Sequence, residues 1–134
     1  MIRGIGTDIV EIDRIREAVN KWGEKFLKRI FSRQEIDYCF FKRDPFPHLS
    51  ARFAAKEATI KAMSGLIPHI FISDVEVSNE PSGRPYIVLN EGLTSALSSN
   101  VVLHLTMTHE RSHASATVIA EQIDQSIRPM HAPS

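Results

Sequence analysis

The sequence lacks the features that mark disulfide-linked, exported and membrane-spanning proteins. Cys39 is the one cysteine in 134 residues, so no disulfide can form within the chain. The opening stretch, MIRGIGTDIVEIDRI, has no basic segment followed by the apolar core of an export signal. No apolar run approaches the roughly 18 residues that a membrane span requires. We therefore expect a cytoplasmic protein whose partners include neither a membrane nor a nucleic acid.

Several motifs of common catalytic and metal centres are also missing. The chain has no Gly-x-x-x-x-Gly-Lys-Ser/Thr loop, so any phosphate chemistry would need another scaffold. His109 and His113 flank the turn ERS, but no cysteine lies near them and no His-Glu-x-x-His helix exists, which argues against zinc. No set of residues suggests a Ser-His-Asp nucleophile. The chemistry must therefore rest on other side chains.

The formal net charge of zero conceals an uneven distribution along the chain. Residues 14–61 carry 12 Lys and Arg against 6 Asp and Glu, a net charge of +6 that the rest of the chain balances. A basic surface favours an acidic partner or a phosphate-bearing ligand. The alternative is that these side chains only solvate helix faces. With 43% hydrophobic residues, a chain of this length suffices for one domain, residues 1–134.

The first half of the chain is predicted to be mainly helical. Segment 2–10 is expected to form a strand, and its two glycines indicate a tight bend or a backbone that approaches another element closely. Helical spacing of apolar residues predicts a helix over 11–22 and a short amphipathic segment around 26–31. Ser32 and Glu35 have the spacing of a capping box, which opens a further helix.

A longer, alanine-rich helix follows. The two prolines of KRDPFPH predict a loop over 42–48, and Ser50 is a suitable N-cap for a helix that runs from Ala51 to about Met63. Its alanines are small enough to let another element pack very near. The helix is therefore expected to be largely buried.

The second half of the chain is predicted to be mainly β-structure. Its β-branched, alternating segments are 70–78, 85–89, 101–108 and 114–121, with a short helix within 91–99. The last two strands should form an antiparallel hairpin. We expect an α+β domain with helices mainly in the first half and an antiparallel sheet mainly in the second. The tail, from about 122 to 134, has little to pack against and is expected to be loose.

Three polar side chains stand out against apolar surroundings. Glu57 and Lys61 follow Phe53 at intervals of four residues, so all three share one stripe of the long helix. An ordinary exposed pair between Glu57 and Lys61 is the simplest interpretation. Asp8 lies in an otherwise apolar strand, where an aspartate either blocks a sheet edge or binds a cation. Together, Asp8 and Glu57 could share Mg²⁺ with a substrate phosphate that Lys61 also reaches.

Two stretches, GIGTDIVEIDRI and RFAAKEATIKA, together resemble the paired signature of the holo-[acyl-carrier-protein] synthases, the small bacterial class of 4′-phosphopantetheinyl transferases. The similarity continues through RIFSRQEIDYC, DVEVSNEPSGRPYIVL and LTMTHERSHASATVIAE, and so covers residues 2–121. It implies the 4′-phosphopantetheinyl transferase fold and transfer of the phosphopantetheine arm of coenzyme A to a serine of apo acyl carrier protein, within fatty acid biosynthesis. It also implies release of adenosine 3′,5′-bisphosphate, and a homotrimer whose active sites lie between subunits.

The resemblance assigns roles to individual residues. Asp8 and Glu57 would hold Mg²⁺ against the pyrophosphate of coenzyme A and, with Lys61 on the phosphate oxygens, would be the catalytic residues. The proton of the carrier serine would pass to a carboxylate of the site or to a metal-activated water. The stretches SGRP and THE match parts of the family that line the nucleotide. The contacts implied there, besides Lys61, are Gly83, Arg84, Pro85, Thr108 and His109.

The basic first helix would face the acidic carrier protein in this family. Arg14 and Lys21 would contact the carrier, and Phe53 would add an apolar contact. After Lys61, where the family commonly has a glycine-rich turn, this chain has AMSGLIPHI. One alternative is a non-catalytic module of the same fold that binds coenzyme A or the carrier. Others are a transferase of a peptide or polyketide pathway, typically about twice this length, and a purely structural trimer.

Overall fold

Helices occupy most of the first half of the chain and antiparallel strands most of the second, which confirms the predicted α+β class. The computed structural model describes residues 1–97 and 100–124. The elements in chain order are β1 (Ile2–Glu11), α1 (Ile12–Trp22), α2 (Glu24–Ile30), α3 (Arg33–Phe41), α4 (Pro45–Met63), a 3₁₀ turn at Ile72–Asp74, β2 (Val75–Asn79), β3 (Pro85–Leu89), α5 (Glu91–Ala96), β4 (Val101–His109) and β5 (His113–Gln122).

The strands form two antiparallel sheets. The larger has the order β1-β5-β4, and the smaller is the hairpin of β2 and β3. β4 and β5 pair antiparallel across a short turn, as predicted. Every second residue of β5 is buried: Ala114, Ala116, Val118 and Ala120. Because successive side chains of a strand point to opposite faces, this row covers one face of the sheet, against which α4 packs.

Two glycines bring β1 into backbone contact with α4. A Cβ atom built on Gly4 would lie 1.8 Å from the carbonyl oxygen of Ala62, and one on Gly6 would lie 1.9 Å from that of Ala58. No side chain fits at either position, so glycine is required. The alanines of α4 supply the other half of this close approach, and Ala54, Ala58 and Ala62 are fully or almost fully buried. The close approach is one of the two alternatives that the glycines of segment 2–10 suggested.

A buried ion pair joins α3 to α4. Lys56 Nζ lies 2.8 Å from Glu35 Oε1, and both side chains are inaccessible to solvent. Glu35 Oε1 also accepts a hydrogen bond from the backbone N–H of Ser32, which completes the capping box that was predicted for α3. Burial lowers the pKa of Lys56, and the neighbouring carboxylate of Glu35 opposes that effect.

The long helix starts earlier than predicted. α4 begins at Pro45, with the Asp44 carboxylate accepting a hydrogen bond from the N–H of Phe46 at 3.1 Å, so the predicted loop over 42–48 and the cap at Ser50 are wrong. The first N–H groups of a helix have no carbonyl partner, and prolines therefore fit within its first turn. Ser50 lies inside the helix and is buried.

Two further boundaries differ from the prediction. The strand expected from residue 70 starts only at Val75, because the 3₁₀ turn precedes it. Gln122 belongs to β5, where its N–H donates to Met1 O at 2.8 Å, and Ile123 N–H donates to Asn100 O. The remainder of the predicted loose tail, 125–134, lies outside the described residues. Within 1–97 and 100–124, no helix is long and apolar enough to cross a membrane.

Candidate active site

A cleft of about 440 Å³ lies where β1 meets α1 and α4, and we call it the first cleft. Asp8 lines it from β1, and Glu57 lines it from α4. Asp8 is two residues after Gly6 and so shares the face of the strand that touches α4. The backbone contact at Gly6 therefore determines how near the two carboxylates can come. Two of the three predicted catalytic residues are thus brought together.

The side chain of Lys61 bonds to residues of β1 and not to Glu57 of its own helix. Its Nζ donates to Asp8 Oδ1 at 3.1 Å and to the carbonyl oxygen of Thr7 at 2.9 Å. Among the described residues, its ion-pair partner is Asp8 and not Glu57, so the simple exposed pair within the helix is wrong. Because Lys61 stays about half exposed, its ammonium group can also reach a ligand that enters from solvent.

In the first cleft, the ionised form of Glu57 is disfavoured. The pKa of Glu57 is raised, first by partial burial and then by the nearby carboxylate of Asp8, while the ammonium of Lys61 opposes the rise. Two carboxylates that repel each other create a site of negative potential. Such a site is suited to a cation.

Mg²⁺ fits this pair of residues. The described residues contain no group of three His, Cys, Asp or Glu that could hold a metal ion. Mg²⁺, however, usually takes only one or two carboxylates and completes its shell with water and substrate phosphates. Asp8 and Glu57 provide those two carboxylates, and a cation between them would relieve their repulsion.

The residues expected to contact the carrier protein are divided by the structure. Arg14 of α1 and Phe53 of α4 line the first cleft beside Asp8 and Glu57. Lys21 is not among the lining residues, and its Nζ lies 5.1 Å from the centroid of the Trp22 ring at the end of α1. A basic and an aromatic side chain thus share the cleft with the two carboxylates.

A second cleft of about 200 Å³ lies between α3, α4, the β2–β3 hairpin and β4. Four of the residues predicted to contact the nucleotide line it: Gly83, Pro85, Thr108 and His109. Arg84 does not line it and is exposed at the hairpin turn, and Lys61 belongs to the first cleft region instead. None of the described residues lines both clefts. In α4, Arg52 lines the second cleft and Phe53 the first, because neighbouring helix residues point about 100° apart.

The second cleft is basic and aromatic. The guanidinium carbon of Arg52 lies 4.1 Å from the centroid of the Tyr38 ring, and the rings of His48 and His109 have centroids 5.6 Å apart. Burial lowers the pKa of His48, and the charges of His109 and nearby cations lower it further. A cleft with one guanidinium and two imidazoles favours an anionic, planar ligand.

Several residues of these clefts were missed in the sequence. Tyr38 and Arg52 lie in stretches that resemble the family but were given no role, and His48 lies in the predicted loop that proves to be helix. His113, considered only for zinc, lines the first cleft, where its N–H and that of Ser112 donate to Glu110. The Ser112 hydroxyl also donates to Glu110, and this hydrogen bond, more than those from the two N–H groups, lowers the pKa of Glu110 to about 2. The one available signal was the density of basic and aromatic residues between 38 and 52.

The chain is similar in sequence to proteins of known family. Residues 4–118 match the model of the 4′-phosphopantetheinyl transferase superfamily. The holo-[acyl-carrier-protein] synthase of Halothermothrix orenii is 40% identical over 124 residues, which cover 91% of this chain and 99% of that protein. The holo-[acyl-carrier-protein] synthase of Chlamydia muridarum is 43% identical over 124 residues, covering 92% and 98%.

Solved structures agree with the sequence comparison. The holo-[acyl-carrier-protein] synthase from Neisseria meningitidis superposes with a TM-score of 0.79 at 31% identity, over 91% of this chain and 100% of that one. The Helicobacter pylori holo-[acyl-carrier-protein] synthase in complex with coenzyme A has a TM-score of 0.76 at 32% identity, over 87% and 99%. A Bacillus anthracis holo-(acyl-carrier-protein) synthase in complex with CoA (3′,5′-ADP) has a TM-score of 0.74 at 31% identity, over 92% of this chain and 99% of that one.

Proposed function

Because this chain belongs to the 4′-phosphopantetheinyl transferase superfamily, we propose that it transfers the 4′-phosphopantetheine group of coenzyme A to a serine of apo acyl carrier protein. The observation that carries the proposal is that Asp8 and Glu57 line one cleft and that Lys61 forms an ion pair with Asp8. The serine oxygen forms a new bond to the β-phosphorus of coenzyme A. The phosphoanhydride bond breaks, and adenosine 3′,5′-bisphosphate leaves.

The residues of the first cleft would bind and orient the pyrophosphate. A Mg²⁺ ion held by Asp8 and Glu57 would neutralise charge on the pyrophosphate and on the leaving bisphosphate. Lys61 would move its ammonium group from Asp8 to a phosphate oxygen, a distance that its flexible stem spans easily. These groups stabilise negative charge where it develops during phosphoryl transfer.

The hydroxyl of the carrier serine must also lose its proton. A carboxylate of the first cleft is one acceptor, and a water molecule bound there is the other. His113 lies in the same cleft as a further group able to carry a proton.

We assign the nucleotide end of coenzyme A to the second cleft and propose that the active site is completed by a neighbouring subunit of a homotrimer. Since the two clefts share none of the residues that the structure describes, one ligand that uses both chemistries is accommodated if each subunit supplies one cleft to the site. The outer face of the β1-β5-β4 sheet supports an assembly, because Ile5 and Ile9 are 65% and 67% exposed in the single chain.

The carrier protein would approach over the mouth of the first cleft. Arg14 and Phe53 line that cleft, so the acidic carrier meets a basic and an apolar contact beside the catalytic carboxylates. Lys21, at the far end of α1, would act on the approach of the carrier rather than in the cleft. The cytoplasm is the proposed compartment, and fatty acid biosynthesis the proposed pathway.

The test is the intact mass of an apo acyl carrier protein after incubation with this protein, coenzyme A and MgCl₂. We expect a mass increase equal to one phosphopantetheine arm, which EDTA and Glu57→Gln abolish. Glu24→Gln is the matched control, because Glu24 is exposed on α2 and pairs with Lys28. No increase with a competent carrier would favour the binding module, while an increase that survives both treatments would refute the metal site.

A further inference from the structure

The β2 edge of the β2–β3 hairpin pairs with no further strand in the described part of the chain. On that edge, side chains take the place of a neighbouring strand. Lys56 Nζ donates to the carbonyl oxygen of Val75, and Glu35 Oε2 accepts from the N–H of Val77 at 2.8 Å. Residues two apart in a strand present their polar groups to the same side. The ammonium therefore satisfies the carbonyl acceptor, and the carboxylate the N–H donor, that a further strand would otherwise bond.

The same two side chains join three elements. Lys56 belongs to α4 and Glu35 to α3, and their ion pair is fully buried. One turn before Lys56, Arg52 extends the row along the hairpin by donating to Asn79 Oδ1 at 2.5 Å. Side chains of α3 and α4 thus bond the hairpin at three alternate positions of β2, namely Val75, Val77 and Asn79.

The hairpin, α3 and α4 also form walls of the second cleft. Asn79, Gly83 and Pro85 form the hairpin wall, and Tyr38 of α3 and Arg52 of α4 stand across from it. The width of the cleft between these walls is therefore set by how β2 is held against the two helices. Glu35 and Lys56 hold it without lining the cleft themselves.

We propose that Glu35 and Lys56 are positioning residues for coenzyme A, which set the distance between the hairpin wall and the helices in the second cleft. The inference rests on the proposed function, because it assigns the nucleotide end of coenzyme A to this cleft. It predicts that loss of the pair weakens coenzyme A binding while leaving the carboxylates of the first cleft in place.

The first variant is Lys56→Met, which keeps most of the side-chain volume and leaves the Glu35 carboxylate with two backbone N–H donors. The second is Glu35→Gln with Lys56→Met, which leaves no unpaired buried charge and keeps the test available if the single variant folds poorly. We expect KM for coenzyme A to rise about tenfold, with kcat and KM for the carrier nearly unchanged. Asp37→Asn is the matched control, since it breaks an exposed pair with Arg33 on the same helix.

A merely structural role gives a different result. It lowers the amount of folded enzyme, so kcat falls with the folded fraction and KM for coenzyme A stays at the wild-type value, which would overturn the inference. Amide hydrogen exchange supplies a second readout. We expect faster exchange in the β2–β3 hairpin than in β1 for the variants, and a uniform increase would also overturn the inference.

Calorimetric binding of coenzyme A separates this inference from the proposed function. If the wild-type protein binds coenzyme A but transfers nothing, the proposed function fails, and the variants still test the positioning through the dissociation constant. Weaker binding in Lys56→Met and unchanged binding in Asp37→Asn support the positioning role. Equal binding by the wild type and both Lys56 variants refutes it, whether or not transfer occurs.

Discussion

Gly6→Ala is expected to damage both the stability and the site of this protein. The new Cβ would lie 1.9 Å from Ala58 O and 2.7 Å from Ala62 N, whereas ordinary contact begins at 3.4 Å. β1 and α4 would therefore have to separate by about 1.5 Å. Overpacking typically costs about 1 to 3 kcal/mol, and the upper end applies because the obstructing atoms are backbone. The melting temperature should fall by about 10 °C.

The same separation moves Asp8 away from Glu57 and Lys61. A misplacement of about 1 Å can cost roughly 100-fold in rate, so kcat should fall by about that factor in the folded fraction. Thermal unfolding by circular dichroism and the transfer assay measure the two effects at equal protein concentration. Gly92→Ala in α5 is the control, because its Cβ would meet nothing nearer than Asn90 Oδ1 at 3.5 Å. If Gly6→Ala melted with the wild type and remained active, the backbone contact would not set the site.

Three further predictions concern charge. The raised pKa of Glu57 means that its ionised form is disfavoured in the fold, so stability is lost as the pH rises through that pKa. Without metal, Glu57→Gln should therefore melt above the wild type at pH 7.5, with a smaller difference at pH 4; a lower melting temperature at pH 7.5 would contradict this. The pKa of His48 is lowered in the free protein and should rise when coenzyme A binds, because a nearby phosphate favours the imidazolium. NMR titration measures this change, and an unchanged pKa would show that the phosphates of coenzyme A bind elsewhere. In the absence of coenzyme A, the Lys61→Met variant should bind Mn²⁺ about tenfold more tightly than the wild type, because Asp8 loses its ammonium partner. Electron paramagnetic resonance measures this affinity, and an unchanged value would refute competition between Lys61 and the cation.

The first cleft was predictable because its residues are locally anomalous. Asp8 is an aspartate in an apolar strand, and Glu57 and Lys61 are charges on an alanine-rich helix, so each could be singled out before any fold was known. The glycines before Asp8 likewise indicated either a tight bend or a close backbone approach, and the structure shows the second. The partner of Lys61 could not be predicted from the sequence: a pair with Glu57 was the simplest interpretation, whereas the contact is with Asp8, 53 positions away.

The errors have equally specific causes. The prolines at 45 and 47 suit a loop and the first turn of a helix alike, and only the Asp44 cap decides between them. The Glu35 and Lys56 pair was not anticipated, because Glu35 already had a sufficient local explanation in the capping box and nothing in the sequence connects it to α4. Local patterns thus predicted the elements, while long-range side-chain pairing had to come from the structure.

Cys39 has a practical consequence for an enzyme of this kind. It is completely buried in α3, and burial, more than any neighbouring charge, raises the pKa of its thiol to about 11. Disulfide exchange requires a thiolate that can reach its target, and Cys39 provides neither condition. Coenzyme A and the transferred phosphopantetheine arm both end in free thiols. The protein can therefore handle thiol-bearing molecules, even under oxidising conditions, without becoming covalently trapped by them.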